Sequence, residues 1–337
     1  MVIWLSHKSG QFLAFTAIMA IPTVPSVPIN LSEQRVRELA SVDEVIAAIR
    51  AAFTRDFAST LRMPVRTSLE LAGGAVLLLM PSYDSALHAA GVKTVTVSRE
   101  AGVQAEYELL DPATGRALVR MEANYLTDLR TAATSAVATD LLARPDVQTL
   151  GVFGSGRQAA AHFTVLPRVR KFRRFLVCGS GRTSLQKFCA AMKQDHEIEV
   201  EPVDAATCAR ESDVLCACTT SSTSLFDGGF LQAGAHLNLV GAFQPHTREV
   251  DDTTARRSRI VVDTYHGALA EAGDLLLPLK TGVITRAHII ADLHEIASGK
   301  KQGRTGSQDV TLFKSVGCAL EDLVTAELVY QKITISN

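Results

Sequence analysis

The chain has 337 residues, 47% of them apolar and 20% charged, and a formal net charge of −1. That is apolar material enough for two packed units. It shows no basic block to attract a nucleic acid and no apolar run long enough to span a bilayer, so neither partner is expected.

Residues 1–30 hold Lys8 followed by the apolar run "SGQFLAFTAIMAIPTVPSV". A charged residue before an apolar stretch resembles a weak signal peptide, and the alternative is a plain N-terminal extension. The cysteines favour the extension. Cys178, Cys189, Cys208, Cys216, Cys218 and Cys318 include no C-x-x-C pair, which reads as reduced thiols in a cytoplasmic protein. Cys216 and Cys218 alternate along an apolar stretch and are expected to share one packed face; no metal site is expected.

Ser41 to Phe57 reads as an amphipathic helix with Val45, Ile46, Ile49 and Phe53 on one face. Ser41 and Glu44 have the spacing of a capping box. "AVLLLMPSY" and "VKTVTVS" read as strands, and "AEYELLDPATGRALVRMEA" as a hairpin turning at Asp111 to Gly115. The first third therefore combines helix with a largely antiparallel sheet. Thr127 to Leu142 is an alanine-rich helix, with Thr127 or Asp128 as expected N-cap and Pro145 beyond its end.

From Thr149 the pattern alternates. Strand "TLGVFG" leads to a helix ending near Val169, then strand "RRFLVCG", helix "SLQKFCAAMKQ", strand "IEVEPV" and a further helix. Strands "DVLCACTT", "HLNLVGA" and "RIVVD" follow. This is the order of an α/β doubly wound parallel sheet. The segment from Asp309 ends in a long helix.

The turn "GVFGSGRQAAAHF" carries a cofactor signal. It follows a strand and opens a helix, the context a dinucleotide fingerprint requires. Gly154 permits the tight turn, Gly156 admits a pyrophosphate to the backbone, and Ala159 stands where close helix–strand packing needs a small residue. The helix N-terminus supplies N–H groups and a positive dipole end. The second strand ends in "FLVCGSGRTSLQKF", with no acid between Phe175 and Phe188 to take the ribose hydroxyls of NAD. Arg182, Thr183 and Ser184 suit a 2′-phosphate instead, so NADPH is expected, with NADH weaker. The alternative is a solvated Arg182 and a Thr183 that only caps the helix.

Taken together, "MPVRTSLE", "LMPSY", "GVKTVTVS", "LTDLRTAATSAVATDLLA", "GVFGSGRQAAAHF", "GAHLNLVGAFQPHTREVDD" and "LFKSVGCALEDLVTAEL" resemble the ornithine cyclodeaminase/mu-crystallin family over residues 31–331. The resemblance implies a Rossmann NADP-binding domain at 126–305. A substrate-binding and dimerisation domain would be built from both chain ends, 1–125 and 306–337, in a homodimer. It implies that Arg66, Lys93 and Arg130 bind the substrate carboxylate. Guanidinium forks and an ammonium suit that group, and on sequence alone these cations have no other obvious partner. Gly154, Ser155, Gly156, Arg157 and Gln158 would line the pyrophosphate. Thr219, Thr220, Ser315, Val316 and Gly317 would lie near the nicotinamide.

One position departs from the pattern. Family members that deaminate carry Asp two residues after the glycine of "VG"; here that residue is Phe243. Phenylalanine neither accepts a proton nor activates water. The implied branch is the ketimine reductases, which reduce Δ1-pyrroline-2-carboxylate to proline or Δ1-piperideine-2-carboxylate to pipecolate. In that reading Lys93 adds charge or a proton, Phe243 walls the ring, and His88 is either a proton relay or a packing residue. The alternatives are an ornithine cyclodeaminase, an alanine dehydrogenase-like enzyme, or a protein that holds NADPH and a small carboxylated ligand without turnover.

Overall fold

The structure, a computed structural model, describes residues 27–335; most of the expected N-terminal extension lies outside them. The first part of the chain runs β1 (Ile29–Leu31), α1 (Glu33–Leu39), α2 (Val42–Thr54), β2 (Leu61–Arg62), β3 (Thr67–Glu70), β4 (Val76–Asp84), β5 (Ala89–Ser98), β6 (Gly102–Leu110) and β7 (Ala117–Glu122). The strands form one sheet in the order β1-β7-β6-β5-β4-β2, with β3 also on β4. Only β1–β7 is parallel; β4, β5, β6 and β7 pair antiparallel, as their hairpin signals require. On β5, Ala89, Gly91, Lys93 and Val95 share the buried face, because side chains alternate with period two. A lysine in phase with the core residues is thus placed inside.

Helix α3 (Asn124–Leu142) connects this sheet to the second. It is buried nearly all round, and its alanines allow α2 and α4 to approach closely. It begins a turn before the expected caps. Ala123 and Asn124 pair with Ala105 on β6, so tertiary hydrogen bonds rather than Thr127 or Asp128 set the start. The Ser41–Glu44 box does not form either. Ser41 occupies the N-cap of α2 without a side-chain bond, and Glu44 meets Lys332 instead.

The second part comprises β8 (Thr149–Phe153), α4 (Arg157–Val165), β9 (Arg174–Cys178), α5 (Arg182–His196), β10 (Glu201–Pro202), α6 (Ala205–Glu211), β11 (Val214–Ala217), β12 (His236–Leu239) and α7 (Asp252–Arg257). It continues through β13 (Ser258–Val262), α8 (Tyr265–Glu271), α9 (Gly273–Lys280), β14 (Ile289–Asp292), α10 (Leu293–Ala297), β15 (Val310–Lys314) and α11 (Ala319–Ile335). Its strands form a parallel, doubly wound Rossmann-type sheet ordered β10-β9-β8-β11-β12-β15-β13-β14. The expected strand "IEVEPV" shortens to Glu201–Pro202 at the sheet edge. β15 inserts between β12 and β13, although it lies beyond residue 306; only after it does the chain return to the first sheet, as α11 packs on α2, α3 and β5. One hydrophobic core runs through both parts, from Leu31 and Phe53 through α3 to Val152, Phe313 and Leu323.

Candidate active site

The strand order of the second sheet reverses between β8 and β11, so both strands aim their C-terminal ends at one crevice. Gly154 leaves β8 with φ +114°, and its N–H donates to the Cys178 carbonyl at 2.8 Å. A Cβ there would sit 2.5 Å from the Cys218 carbonyl oxygen, so only glycine can thread between β9 and β11. Gly156 caps α4, and a Cβ on it would meet nothing within 4 Å; its position faces open space. The first N–H groups of α4 have no acceptor within the helix. This cradle fits a dinucleotide pyrophosphate.

Ser155 lies beside the next loop, its Oγ 3.4 Å from where a Cβ on Gly179 would be. The side chains of Arg157 and Gln158 turn away. Arg157 Nε lies 2.6 Å from Asp128 and its Nη2 2.8 Å from Glu33, while Gln158 donates to Asp128 at 3.1 Å. Toward the cradle these two residues offer their backbone. Arg182, Thr183 and Ser184 are exposed at the start of α5. The N-cap is Gly181, with φ +88°, so Thr183 does not serve as a cap.

Beyond β11 and β12, a buried carboxylate organises the loops. Glu249 accepts from Thr219 N at 2.8 Å, Thr219 Oγ1 at 2.7 Å, Gly241 N at 2.8 Å and Ala242 N at 3.0 Å. Burial pushes its carboxyl pKa up while Lys314 draws it down. Lys314 Nζ lies 2.9 Å from Asp274 and donates to the Ala242 carbonyl; Asp274 in turn accepts from the Glu249 N–H at 2.7 Å. Thr220, next to this network, is exposed. Asp263, at the end of β13, accepts from Ser315 Oγ at 3.0 Å and from the Val316 and Gly317 N–H groups, each at 2.8 Å. Sequence reasoning missed Glu249, Asp263, Asp274 and Lys314. Lys314 at the end of the apolar run "VTLF" was the available signal.

A cavity of about 340 Å³ opens between the two sheets, lined by Phe57, Leu61, Met63, Met80 and Tyr265, with Arg66 and Glu271 as facing charges. Arg66 Nε lies 3.0 Å from Glu271, and its Nη2 donates to the carbonyls of Val316 and, at 2.9 Å, Gly317. Its guanidinium stands 5.6 Å from the Phe243 ring centre. Phe243 and Arg66, far apart in sequence, are thus brought together.

Behind Gly317 and Ala319, Lys93 and Arg130 share one carboxylate. Lys93 Nζ donates to Asp322 at 2.8 Å, Arg130 Nε lies 2.9 Å from Asp322, and Arg130 Nη1 donates to Glu321. Gly317 has φ +80°, and a Cβ there would lie 2.7 Å from Arg130 Nη1, so the glycine lets the guanidinium approach. The expectation that these cations lack partners is therefore overturned. Glu271, Glu321 and Asp322 balance Arg66, Lys93 and Arg130, and all three carboxylates come from elements distant in sequence. Burial brings the Lys93 pKa down to about 8, with Arg130 pushing the same way and Asp322 opposing. Burial also disfavours charge on Arg130, but Asp322 and Glu321 outweigh it and hold its pKa above the ordinary value.

His88 is exposed in the β4–β5 turn, with φ +50°, away from the cavity lining. Cys216 is buried in β11, and Cys218 Sγ lies 3.6 Å from His162 Nδ1. Among the described residues, no group of three or more His, Cys, Asp or Glu side chains could hold a metal ion.

Comparison with known proteins gives consistent results. The model of the ornithine cyclodeaminase/mu-crystallin family matches residues 27–337. A Δ1-pyrroline-2-carboxylate reductase of Bacillus cereus is 34% identical over 313 residues, covering 90% of this chain and 95% of that protein. The ketimine reductase mu-crystallin of Mus musculus is 34% identical, covering 90% and 96%. The structure of the Thermococcus litoralis Δ1-pyrroline-2-carboxylate reductase in complex with NADH and L-proline superposes with a TM-score of 0.88 at 37% identity, covering 91% of this chain and 98% of that one.

Proposed function

The chain belongs to the ornithine cyclodeaminase/mu-crystallin family, and on that premise we propose that it is an oxidoreductase that reduces the C=N bond of cyclic imino acids with a nicotinamide cofactor. Δ1-Pyrroline-2-carboxylate gives L-proline, and Δ1-piperideine-2-carboxylate gives L-pipecolate. The observation that carries the choice within the family is Phe243 against Arg66. Where deamination needs a side chain able to activate water, this site has a hydrocarbon ring.

The bound cofactor supplies the hydride. The Gly154–Gly156 turn and the N-terminus of α4 hold its pyrophosphate, and the loops tied by Glu249 and Asp263 flank its nicotinamide. Arg182, Thr183 and Ser184 take a 2′-phosphate, which makes NADPH the preferred form. Arg66 anchors the substrate carboxylate at the cavity, while Lys93 and Arg130 set the positive field behind it. Glu271 hands the proton to the imine nitrogen. It lines the cavity beside Arg66, and burial raises its carboxyl pKa above the ordinary value while Arg66 opposes. The apolar walls around Met63 and Met80 receive the ring methylenes, with Phe243 beside the Arg66 guanidinium rather than on the lining.

We assign the cofactor domain to residues 126–314, because β15 (Val310–Lys314) lies within the parallel sheet, which moves the expected boundary at 305, and the substrate domain to the residues before 126 together with α11. The exposed Leu69, Leu79 and Tyr83, on one face of the first sheet by their register, support a homodimer through that sheet. The free cysteines support a reducing, cytoplasmic setting. No helix among the described residues is long and apolar enough to cross a membrane. The deciding assay follows NADPH oxidation with pyrroline-2-carboxylate. Its absence, with ligand binding retained, would make the protein a binder. Light scattering at micromolar concentration tests the dimer; a monomer mass would remove it.

A further inference from the structure

Resting on the reading of this cavity as the imino-acid site, we propose that Glu271 is the resident occupant of the substrate-carboxylate anchor. The incoming carboxylate takes Arg66 from it, and the freed Glu271 picks up a proton that it then delivers to the imine nitrogen.

The geometry of Arg66 carries this. A guanidinium grips a carboxylate through two parallel N–H groups. Nη2 is committed to the carbonyls of Val316 and Gly317, in a loop that Asp263 holds by their N–H groups. Nε is held by Glu271 at 3.0 Å. With Nε taken, an incoming carboxylate has only the Nη1 side of the guanidinium beside Glu271, so a two-point grip that includes Nε requires Glu271 to leave. The side chains of Arg66 and Glu271 are only 8% and 15% exposed, so water cannot screen two carboxylates on one guanidinium.

Charge balance points the same way. Arg66, Lys93 and Arg130 are matched by Glu271, Glu321 and Asp322, so a bound carboxylate adds an unmatched negative charge. One proton restores the balance. Glu321 and Asp322 stay locked on Arg130 and Lys93. Asp263 is already engaged, accepting from Ser315, Val316 and Gly317. Asp292, at the far wall, caps α10 through the Glu295 N–H. Glu271 pairs with Arg66 alone among these cations, and Arg66 is what holds its pKa down against burial and the nearby Asp263. His266 and Tyr265 are the remaining titratable groups of the cavity lining that bear on this balance, with the Cys318 thiol, whose pKa burial raises.

The step balances. Hydride joins the imine carbon, the Glu271 proton joins nitrogen, and the π bond of C=N is lost; the imine is reduced and the cofactor oxidised. Glu271 is again a carboxylate, returns to Arg66 and displaces the product carboxylate.

The test is calorimetric binding of pyrrole-2-carboxylate, a flat ring carboxylate with no imine, to the protein saturated with NADP⁺. Titrations in phosphate and in bis-Tris, two buffers that both titrate near pH 6 but differ in ionisation heat, separate proton uptake from binding heat. Wild type should take up close to one proton per site at pH 6, and less as pH rises. Glu271→Gln should bind the probe several-fold more tightly with no uptake, while His266→Asn keeps the uptake. Binding to Glu271→Gln alone also supports the exchange. Proton-neutral binding by wild type, equal uptake in Glu271→Gln, or no binding by either overturns it. Imine reduction without proton-linked binding would sink the exchange and leave the reductase reading standing; proton-linked binding without reduction would do the reverse.

Discussion

Lys93 on β5 and Asp322 on α11 meet at 2.8 Å, and both are sealed from solvent. The same carboxylate also faces Arg130 at 2.9 Å, so one aspartate contacts both buried cations while Glu321 supplies the second negative charge. Removing it would leave uncompensated charge in a poorly polarisable interior, at a cost of roughly 3–5 kcal/mol. Asp322→Ala should therefore lower the urea midpoint far more than an exposed Asp→Ala change. An apolar double replacement, Lys93→Met with Asp322→Leu, should recover part of the loss. An Asp322→Ala protein as stable as wild type would show that the pair contributes nothing.

Arg66→Met should lower kcat/KM for pyrroline-2-carboxylate by several powers of ten with cofactor binding nearly intact. Loss of the anchor misplaces the imine carbon relative to the hydride, and about an ångström of misplacement can cost on the order of a hundredfold. Cofactor titration by fluorescence alongside steady-state kinetics separates the two effects. Parallel loss of cofactor affinity would place Arg66 elsewhere.

Ornithine should not be cyclised by the wild-type protein, because Phe243 can neither take up a proton nor activate water. Ammonia release from ornithine with NAD, at a rate comparable to imine reduction, would overturn the assignment to the reductase branch.

Arg182→Ala should weaken NADPH and spare NADH. Only NADPH carries the 2′-phosphate, and a charged hydrogen bond lost there costs about 1.5–3 kcal/mol. Equal losses for the two cofactors, measured by calorimetry, would remove Arg182 from the site.

His162 is buried between α3 and α4, with Ser135 Oγ at 2.9 Å and the Gln158 carbonyl at 2.7 Å. Burial brings its pKa down to about 4 from an ordinary 6.5. Between those values the unfolded chain binds the proton and the folded one does not, so stability falls as pH drops from 6.5 towards 4. The shift corresponds to on the order of 3 kcal/mol. The stability gap between wild type and His162→Asn should shrink over that window. A gap independent of pH would show that the ring does not titrate on unfolding.

What the sequence determined by itself lies in short-range signals. The strand–glycine–helix turn at Gly154 was legible because a tight turn, a close backbone approach and a helix start fall within a few residues. The strands β4 and β5, the β6–β7 hairpin and the alternation from Thr149 onward follow from local periodicity. The place where Phe243 interrupts its motif was visible for the same reason.

The tertiary structure decided the partners. Arg66 meets Glu271 at a separation of 205 residues, Lys93 meets Asp322 at 229 and Arg130 meets Glu321 at 191. It also decided that α3 begins on β6, and that Glu249 ties the ends of β11 and β12. No local period encodes such pairs. They arise because α11 folds back onto β5 and α8 stands across the cavity from Arg66. A charge that looks free along the chain can therefore be neutralised in space, by whichever carboxylate the returning element brings to it.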